Sequence, residues 1–388
     1  MGGIGDKRKL IVVWPYRFRD FDWQRFELEF LSEHLEVHVH ELIDALTPEF
    51  SAAYANQSES PHVIRFASLK QWRREFKKIS KDAIVFSHIK PTNFKLIHVC
   101  RTISQSKSLV VGFVVGGAVV PGSSDRHKFE ALVECLKIIY HFGRRNLLRS
   151  YLPKFVIGGG AESIDSIKRD YPRSSTIVLA NSSDYSQFLR LNQDEVVKEK
   201  SAVFLDTGFP GFPRDELLSG RSEKILPENW YPNLSKFFSQ VEVSLNLKVD
   251  IAVHPKHVGR DHRELFGDRK TLSGQTASFV AARDLVIATN STAISYAISN
   301  YKPLLLVWSD LIEAGIDPRK RSFIKNFSLA TGATIFNIDR HYSAQDIKAA
   351  LIIDHKKYES YKQKYLTSRT DGKPNYRVIL DEIVNSQH

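Results

Sequence analysis

Two successive series of short β-branched runs, each run followed by a longer amphipathic stretch, constrain this chain more than any other feature. In the first series the runs predict strands at Leu10–Trp14, Val37–His40, Ala83–Ser87, Leu109–Val115, Phe155–Ile157 and Ser175–Leu179. Apolar residues at helical spacing lie between them, over Trp23–Glu33, Leu69–Ile79 and Lys128–His141. The second series predicts strands at Ala202–Leu205, Val249–Val253, Leu285–Ala288, Pro303–Val307 and Thr334–Phe336. Its helices are expected at Pro232–Leu245, Ala277–Arg283, Ala293–Asn300 and Asp310–Ile316. Parallel strands need a long crossover, usually a helix, so this alternation predicts two α/β layers with parallel sheets. Length agrees, since 388 residues exceed one small core and fill two ordinary domains.

The polar stretch Asn192–Lys200 is the expected linker. It sets an N-terminal Rossmann-like domain over residues 1–195 and a C-terminal one over 196–345. Residues 346–388 are then a C-terminal helical segment. The helical pattern from Ala344 to Tyr365 is expected to return to the first domain. Ligands of doubly wound domains sit beyond the carboxyl ends of the strands, so the expected site is the cleft between the two domains.

Composition removes several classes. An apolar share of 42% with 26% charged residues is that of a globular protein. Cys100 and Cys135 stand far apart and form no C-x-x-C pair, so neither a zinc site nor a disulfide framework is expected. The longest apolar stretch, Leu109–Pro121, is broken by Gly112, Gly116 and Gly117 and is shorter than the roughly 20 residues of a spanning helix. The first residues carry no small-residue cleavage site, and Asp6 stands where a myristoylation signal needs Ser or Thr. The expected compartment is the cytoplasm, with a peripheral position on the inner membrane left open.

A net charge of +11 calls for an anionic partner. Ser68–Lys81 reads SLKQWRREFKKISK, with Leu69, Trp72, Phe76 and Ile79 on one helical face and lysines and arginines around it. Such a helix either lies on an anionic membrane surface or packs its apolar face on its own domain. A second basic cluster runs from Arg144 to Lys154. Neither stretch carries an RRM, KH or zinc-finger pattern, so nucleic acid is not an expected partner.

The sharpest local signals fall at predicted strand ends in the second half. IAVHPK ends in His254, Pro255 and Lys256. A histidine there can donate to a phosphate and, once protonated, neutralise a leaving one. The plainer reading is a histidine satisfying a loop carbonyl. LVIATNSTA then leads from a strand through Asn290, Ser291 and Thr292 into a helix, where free N–H groups and hydroxyls favour an anion. The plainer reading here is an ordinary N-cap. Gly274, Gln275 and Thr276 form a third candidate turn for the nucleotide.

His-Pro at one strand end followed by Ser-Thr opening a later helix resembles the HP and S/ST motifs of bacterial sialyltransferases and polysialyltransferases. The stretch Leu234–Val307 is similar to capsule and surface-polysaccharide biosynthesis proteins, and the likeness continues weakly at Asp22-Trp23, Gly158-Gly159 and Ser183-Asp184-Tyr185. The resemblance implies a GT-B fold, two Rossmann-like domains facing across a cleft. It also implies transfer of an acidic sugar, sialic acid-like or Kdo, from a CMP-sugar donor to a surface-glycan acceptor. In that family the His and Ser/Thr hold the CMP phosphate, which assigns His254, Ser291 and Thr292 here. No metal or other cofactor is implied, and displacement with inversion is the expected mechanism.

The family's acidic D/E-D/E-G triplet has no counterpart. Asp206-Thr207-Gly208 matches only at its ends, and Asp206 and Gly208 are carried as candidate cleft residues. The candidate base moves to RFRDFDW, at Asp20 or Asp22; the plainer reading of each is a solvated loop carboxylate or a cap for the following helix. Asp20-Phe21-Asp22 is formally a metal-binding D-x-D but falls too near the start. His34, His38 and His40 suit a wet strand face better than a metal, and Gly158-Gly159-Gly160 reads as a turn. Three alternatives stay open: a UDP- or GDP-sugar donor, a CDP-alditol donor, and a non-catalytic scaffold of polysaccharide assembly.

Overall fold

The computed structural model describes residues 7–51, 62–87, 89, 93–113, 153–171, 173–191, 195–208, 227–254, 261–310 and 318–385. The chain divides into two compact units, passing from the first to the second at Ser183/Asp184 and back at Thr367/Ser368. Each unit holds one sheet. The first is built from β1 (Lys9–Trp14), β2 (Glu36–Glu41), β3 (Val63–Arg65), β4 (Ile84–Ser87), β5 (Leu109–Phe113), β6 (Phe155–Gly159) and β7 (Thr176–Ala180). Its order is β3-β2-β1-β4-β5-β6-β7. The second contains β8 (Glu199–Leu205), β9 (Lys248–Ala252), β10 (Thr271–Leu272), β11 (Arg283–Ala288), β12 (Leu304–Trp308) and β13 (Thr334–Asn337), ordered β10-β9-β8-β11-β12-β13. Every pairing in both sheets is parallel.

Both sheets begin in the middle, step outward to one edge, then resume on the other side of their first strand. That reversal opens a crevice at the strands' carboxyl ends, between β1 and β4 in one sheet and between β8 and β11 in the other. Burial on both faces explains why the strands read as continuous apolar runs. Leu10, Val12 and Trp14 join one core cluster, while Ile11 and Val13 join another on the opposite face. Ala202 and Phe204 likewise part from Val203 and Leu205.

Two strands were not legible in the sequence. β3 has three residues and β10 two, and each ends its sheet. Runs that short leave no period-two signature. The predicted helix Trp23–Glu33 divides into Asp20–Arg25 and Leu28–Ser32. Between them Glu27 adopts φ 54, the left-handed region a side chain normally avoids. Its buried carboxylate accepts the main-chain N–H of Tyr376 at 2.6 Å, so a distant segment holds the kink.

The predicted helix at Lys128–His141 lies outside the described residues, as does the one at Asp310–Ile316 beyond its first residue. Helices Ala344–Ala349 and His355–Tyr361 stay with the second unit, and the residues from Ser368 onward belong to the first. There Asn375 accepts the Asn181 N–H at 2.9 Å and donates to its carbonyl at 3.0 Å. Among the described residues no helix is long and apolar enough to cross a membrane.

Candidate functional site

The crevice of the second sheet collects most of the candidate residues. Asp206 follows β8 and is buried. One carboxylate oxygen accepts the N–H of Gly208 at 3.0 Å, and the other accepts the main-chain N–H of His254 at 3.0 Å. His254 stands two residues past β9, so Asp206 ties the loop after β8 to the loop after β9. Gly208 turns the chain at φ +72, a conformation open to glycine at little cost. On the other side Thr207 and Thr289 bring their hydroxyls to 3.4 Å across the β8/β11 crevice. Thr289 also donates to Asn290 Oδ1 at 3.3 Å.

His254 and Ser291 therefore belong to one set of strand ends, though not to adjoining ones. β8 stands between β9 and β11. The two loops flank its end at two strand spacings, about 10 Å. A separation of that order suits a phosphate group with donors on each side.

The helix end is also less than expected. The helix predicted from Ala293 is regular only over Ile294–Ser299, six residues. Ser291–Ala293 form the turn before it, whose carbonyls accept the N–H groups of Ile294, Ser295 and Tyr296. An anion here would rest on hydroxyls more than on a dipole that six residues scarcely build. Ser291 Oγ accepts the Ala293 N–H at 3.3 Å and keeps its own proton to donate. Thr292 is exposed, and Asn290 and Ser291 are half-buried.

The helix behind this turn is firmly anchored. Ser295 donates to Asp184 Oδ2 at 2.6 Å, and Tyr296 donates to Gln187 Oε1 at 2.6 Å. Ser183-Asp184-Tyr185 thus finds a structural use that its sequence did not announce. The turn Gly274, Gln275, Thr276 follows β10, next to the strand of His254 and two places from β8. Pro255 and Lys256 lie outside the described residues. A groove of about 830 Å³ elsewhere in this unit, lined by Ser235, Ser239 and His341 among others, includes none of these residues. Two of its hydroxyls are already engaged by Arg269.

In the first unit Asp20 is exposed at the start of the Asp20–Arg25 helix. Asp22 is buried and accepts the Arg19 N–H at 3.1 Å, the capping role weighed against catalysis above. Burial pushes its carboxyl up to about 6, against the opposing pull of Arg19. That value suits a general base working near neutral pH.

Sequence reasoning missed Glu41, at the carboxyl end of β2. Its buried carboxylate takes the Arg17 guanidinium at 2.7 Å and the Phe18 N–H at 2.7 Å, with Arg65 at 3.4 Å. Burial raises its pKa, and the amide and arginines pull it back. The one signal was an acid at the end of a predicted strand.

Two lesser readings change and a third, left open by the sequence, is decided. His40 is buried rather than wet: its Nδ1 accepts the Trp72 indole N–H at 3.3 Å, and burial holds its pKa down to about 3. Gly158 and Gly159 lie inside β6 instead of forming a turn. A side chain on Gly159 would stand 2.3 Å from the Asn181 carbonyl carbon, so glycine there serves backbone approach. Trp72 and Phe76 are fully buried in the core, so the apolar face of the basic helix packs on its own domain. Among the described residues no cluster of three His, Cys, Asp or Glu side chains could hold a metal.

Two Rossmann-type parallel sheets carried by one chain define the GT-B fold. Comparison with protein families and with curated proteins gives no match. Solved structures do match across nearly the whole chain. The wall teichoic acid polymerase TagF, as a His→Asn variant, superposes with a TM-score of 0.55 at 8% identity over 99% of this chain and 91% of that one. The same variant soaked with CDPG gives 0.54 at 9% identity, with 99% and 91% covered. UDP-GlcNAc 2-epimerase from Methanocaldococcus jannaschii gives 0.47 at 10% identity, covering 98% and 100%. At such identities the property shared with the TagF structures is the fold.

Proposed function

We propose that this protein is a glycosyltransferase that uses a cytidine-nucleotide donor, moving an acidic sugar from a CMP-sugar to a surface-glycan acceptor. The observation that carries the reading is the grouping of His254, Asp206, Thr207, Asn290 and Ser291 at the carboxyl ends of three successive strands, β9, β8 and β11. On this reading the imidazole of His254 and the hydroxyls of Ser291 and Thr292 hold the phosphate. Lys256 and the Gly274–Thr276 turn complete the nucleotide's surroundings. Asp20 or Asp22 takes the proton of the acceptor hydroxyl. The acceptor oxygen then bonds to the anomeric carbon as the carbon–oxygen bond to CMP breaks. Charge gathers on the departing phosphate, where donors fixed in advance stabilise it most. No metal is required, and the anomeric configuration inverts.

A second reading, transfer from a CDP-alditol, is favoured by the likeness to TagF, which was solved with CDPG. Both release CMP, so the nucleotide is tested first. Isothermal titration with CMP, UDP and GDP should give saturable binding for CMP. Tight UDP binding without a CMP response would remove both cytidine readings. Turnover of CMP-sugars against CDPG then separates the two, and net retention in an anomeric assay would exclude direct displacement. A wild-type protein that binds CMP yet turns over neither donor would be a non-catalytic member of a polysaccharide-assembly complex.

A further inference from the structure

The charge of this chain is concentrated. Residues 68–107 hold ten lysines and arginines against two acidic residues, Glu75 and Asp82, a net +8 of the chain's +11. Two helices carry most of it, Leu69–Ile79 and Phe94–Ser104. Both pack on the same face of the first sheet, over a core that includes Trp72, Phe76, Val99 and Ile103. Their outer sides therefore look the same way.

On the first helix Lys70, Arg74, Lys77 and Lys78 are exposed, as is Lys81 just beyond it. Glu75 is occupied by Arg74 at 2.9 Å and Lys78 at 2.8 Å. On the second helix positions 94, 97, 98 and 101 share one face at helical spacing. They hold Phe94, Ile97, His98 and Arg101, with Phe94 91% exposed and Ile97 40%. No acidic residue occurs between Asn93 and Lys107.

An almost fully exposed phenyl ring, an isoleucine one turn on and a field of cations form the pattern of an interfacial surface. Anionic headgroups answer the charge, and the headgroup–acyl boundary takes the apolar pair. Single-stranded nucleic acid would instead ask for a row of aromatic rings on which successive bases stack. Phe94 has an isoleucine beside it, which offers no such platform.

We propose that the joint outer face of these two helices docks on an anionic lipid bilayer, with Phe94 and Ile97 entering the headgroup boundary and the surrounding lysines and arginines meeting lipid phosphates. The sequence left open whether Trp72 and Phe76 meet a membrane or their own domain; the structure buries both and leaves Phe94 and Ile97 of the neighbouring helix exposed. This assignment does not depend on the donor nucleotide.

Sedimentation of the full chain with lipid vesicles tests it. Vesicles of phosphatidylcholine containing a third of phosphatidylglycerol should bind at least ~10-fold more tightly than phosphatidylcholine alone. High salt should abolish the difference. Lys77→Glu combined with Lys81→Glu should weaken binding ~10-fold or more. Phe94→Ala should weaken it by roughly 10-fold, with circular dichroism unchanged because the ring has no packing to lose. F94W should shift its emission to the blue on anionic vesicles, whereas Lys236→Glu, in the second unit, should bind as wild type. Equal binding to neutral and anionic vesicles would overturn the proposal. So would undiminished binding by Phe94→Ala and the double charge reversal, or tighter binding of single-stranded RNA than of vesicles at equal phosphate.

Discussion

The two sheets repeat one topology, and each uses a buried carboxylate to fix the loop at its crevice, but they place that carboxylate oppositely. In the first, Glu41 ends the second strand and receives the Phe18 N–H from the loop after the first strand. In the second, Asp206 sits in the loop after the first strand and receives the His254 N–H from the loop after the second. Glu41 also holds a guanidinium, whereas Asp206 accepts the main-chain N–H groups of Gly208 and His254. The same scaffold thus presents an arginine–carboxylate cluster at one crevice and histidine with hydroxyls at the other. Fold fixes where a site can be; loop residues decide its chemistry.

Replacing each half of that comparison should give effects of different kinds. Glu41→Ala strands Arg17 in a buried position and should cost about 4 kcal/mol, read as a large fall in denaturation midpoint. Were stability unchanged, the first clamp would be dispensable. His254→Ala keeps the main-chain N–H that Asp206 uses, so Tm should hold while kcat/KM falls ~100-fold or more. Loss of Tm with intact turnover would reverse the roles of the two crevices.

Asp22 gives a prediction in pH. Its folded pKa, about 6, lies above the ordinary 3.8, so the folded state holds a proton that the unfolded chain has released. Stability from this group is full below pH 3.8, declines as pH rises to about 6 and is lost above it, roughly 3 kcal/mol in all. Asp22→Asn, which can still accept the Arg19 N–H, should flatten that decline and raise stability at neutral pH. If Asp22 is the base, the same variant removes the acid limb of kcat/KM near pH 6.

Asp206→Ala leaves two amides without their acceptor and should cost about 2 kcal/mol while weakening CMP binding. Gly208→Ala, forced into φ +72, should cost about 1 kcal/mol with the same sign on affinity. A variant that loses stability and keeps full CMP affinity would separate the second clamp from the proposed phosphate site.

The longer central strands were legible because burial on both faces writes an unbroken apolar run into the sequence. His254 and the Asn290–Thr292 turn were legible because strand ends are where polar residues interrupt such runs. Glu41 was not, since a carboxylate at a strand end looks the same whether it meets water or Arg17. Nor could spacing tell that Trp72 faces His40 and the core while Phe94, in a less strongly amphipathic helix, is left outside.

By itself the sequence determined two parallel α/β layers and which residues stand at their strand ends, because both follow from local periodicity and its interruptions. Tertiary structure alone decided that β8 lies between the strands of His254 and Ser291, that Glu27 is kinked by Tyr376, and which cations share a face. Those outcomes depend on strand order and on partners far along the chain, joined by hydrogen bonds and burial that no window of neighbouring residues encodes.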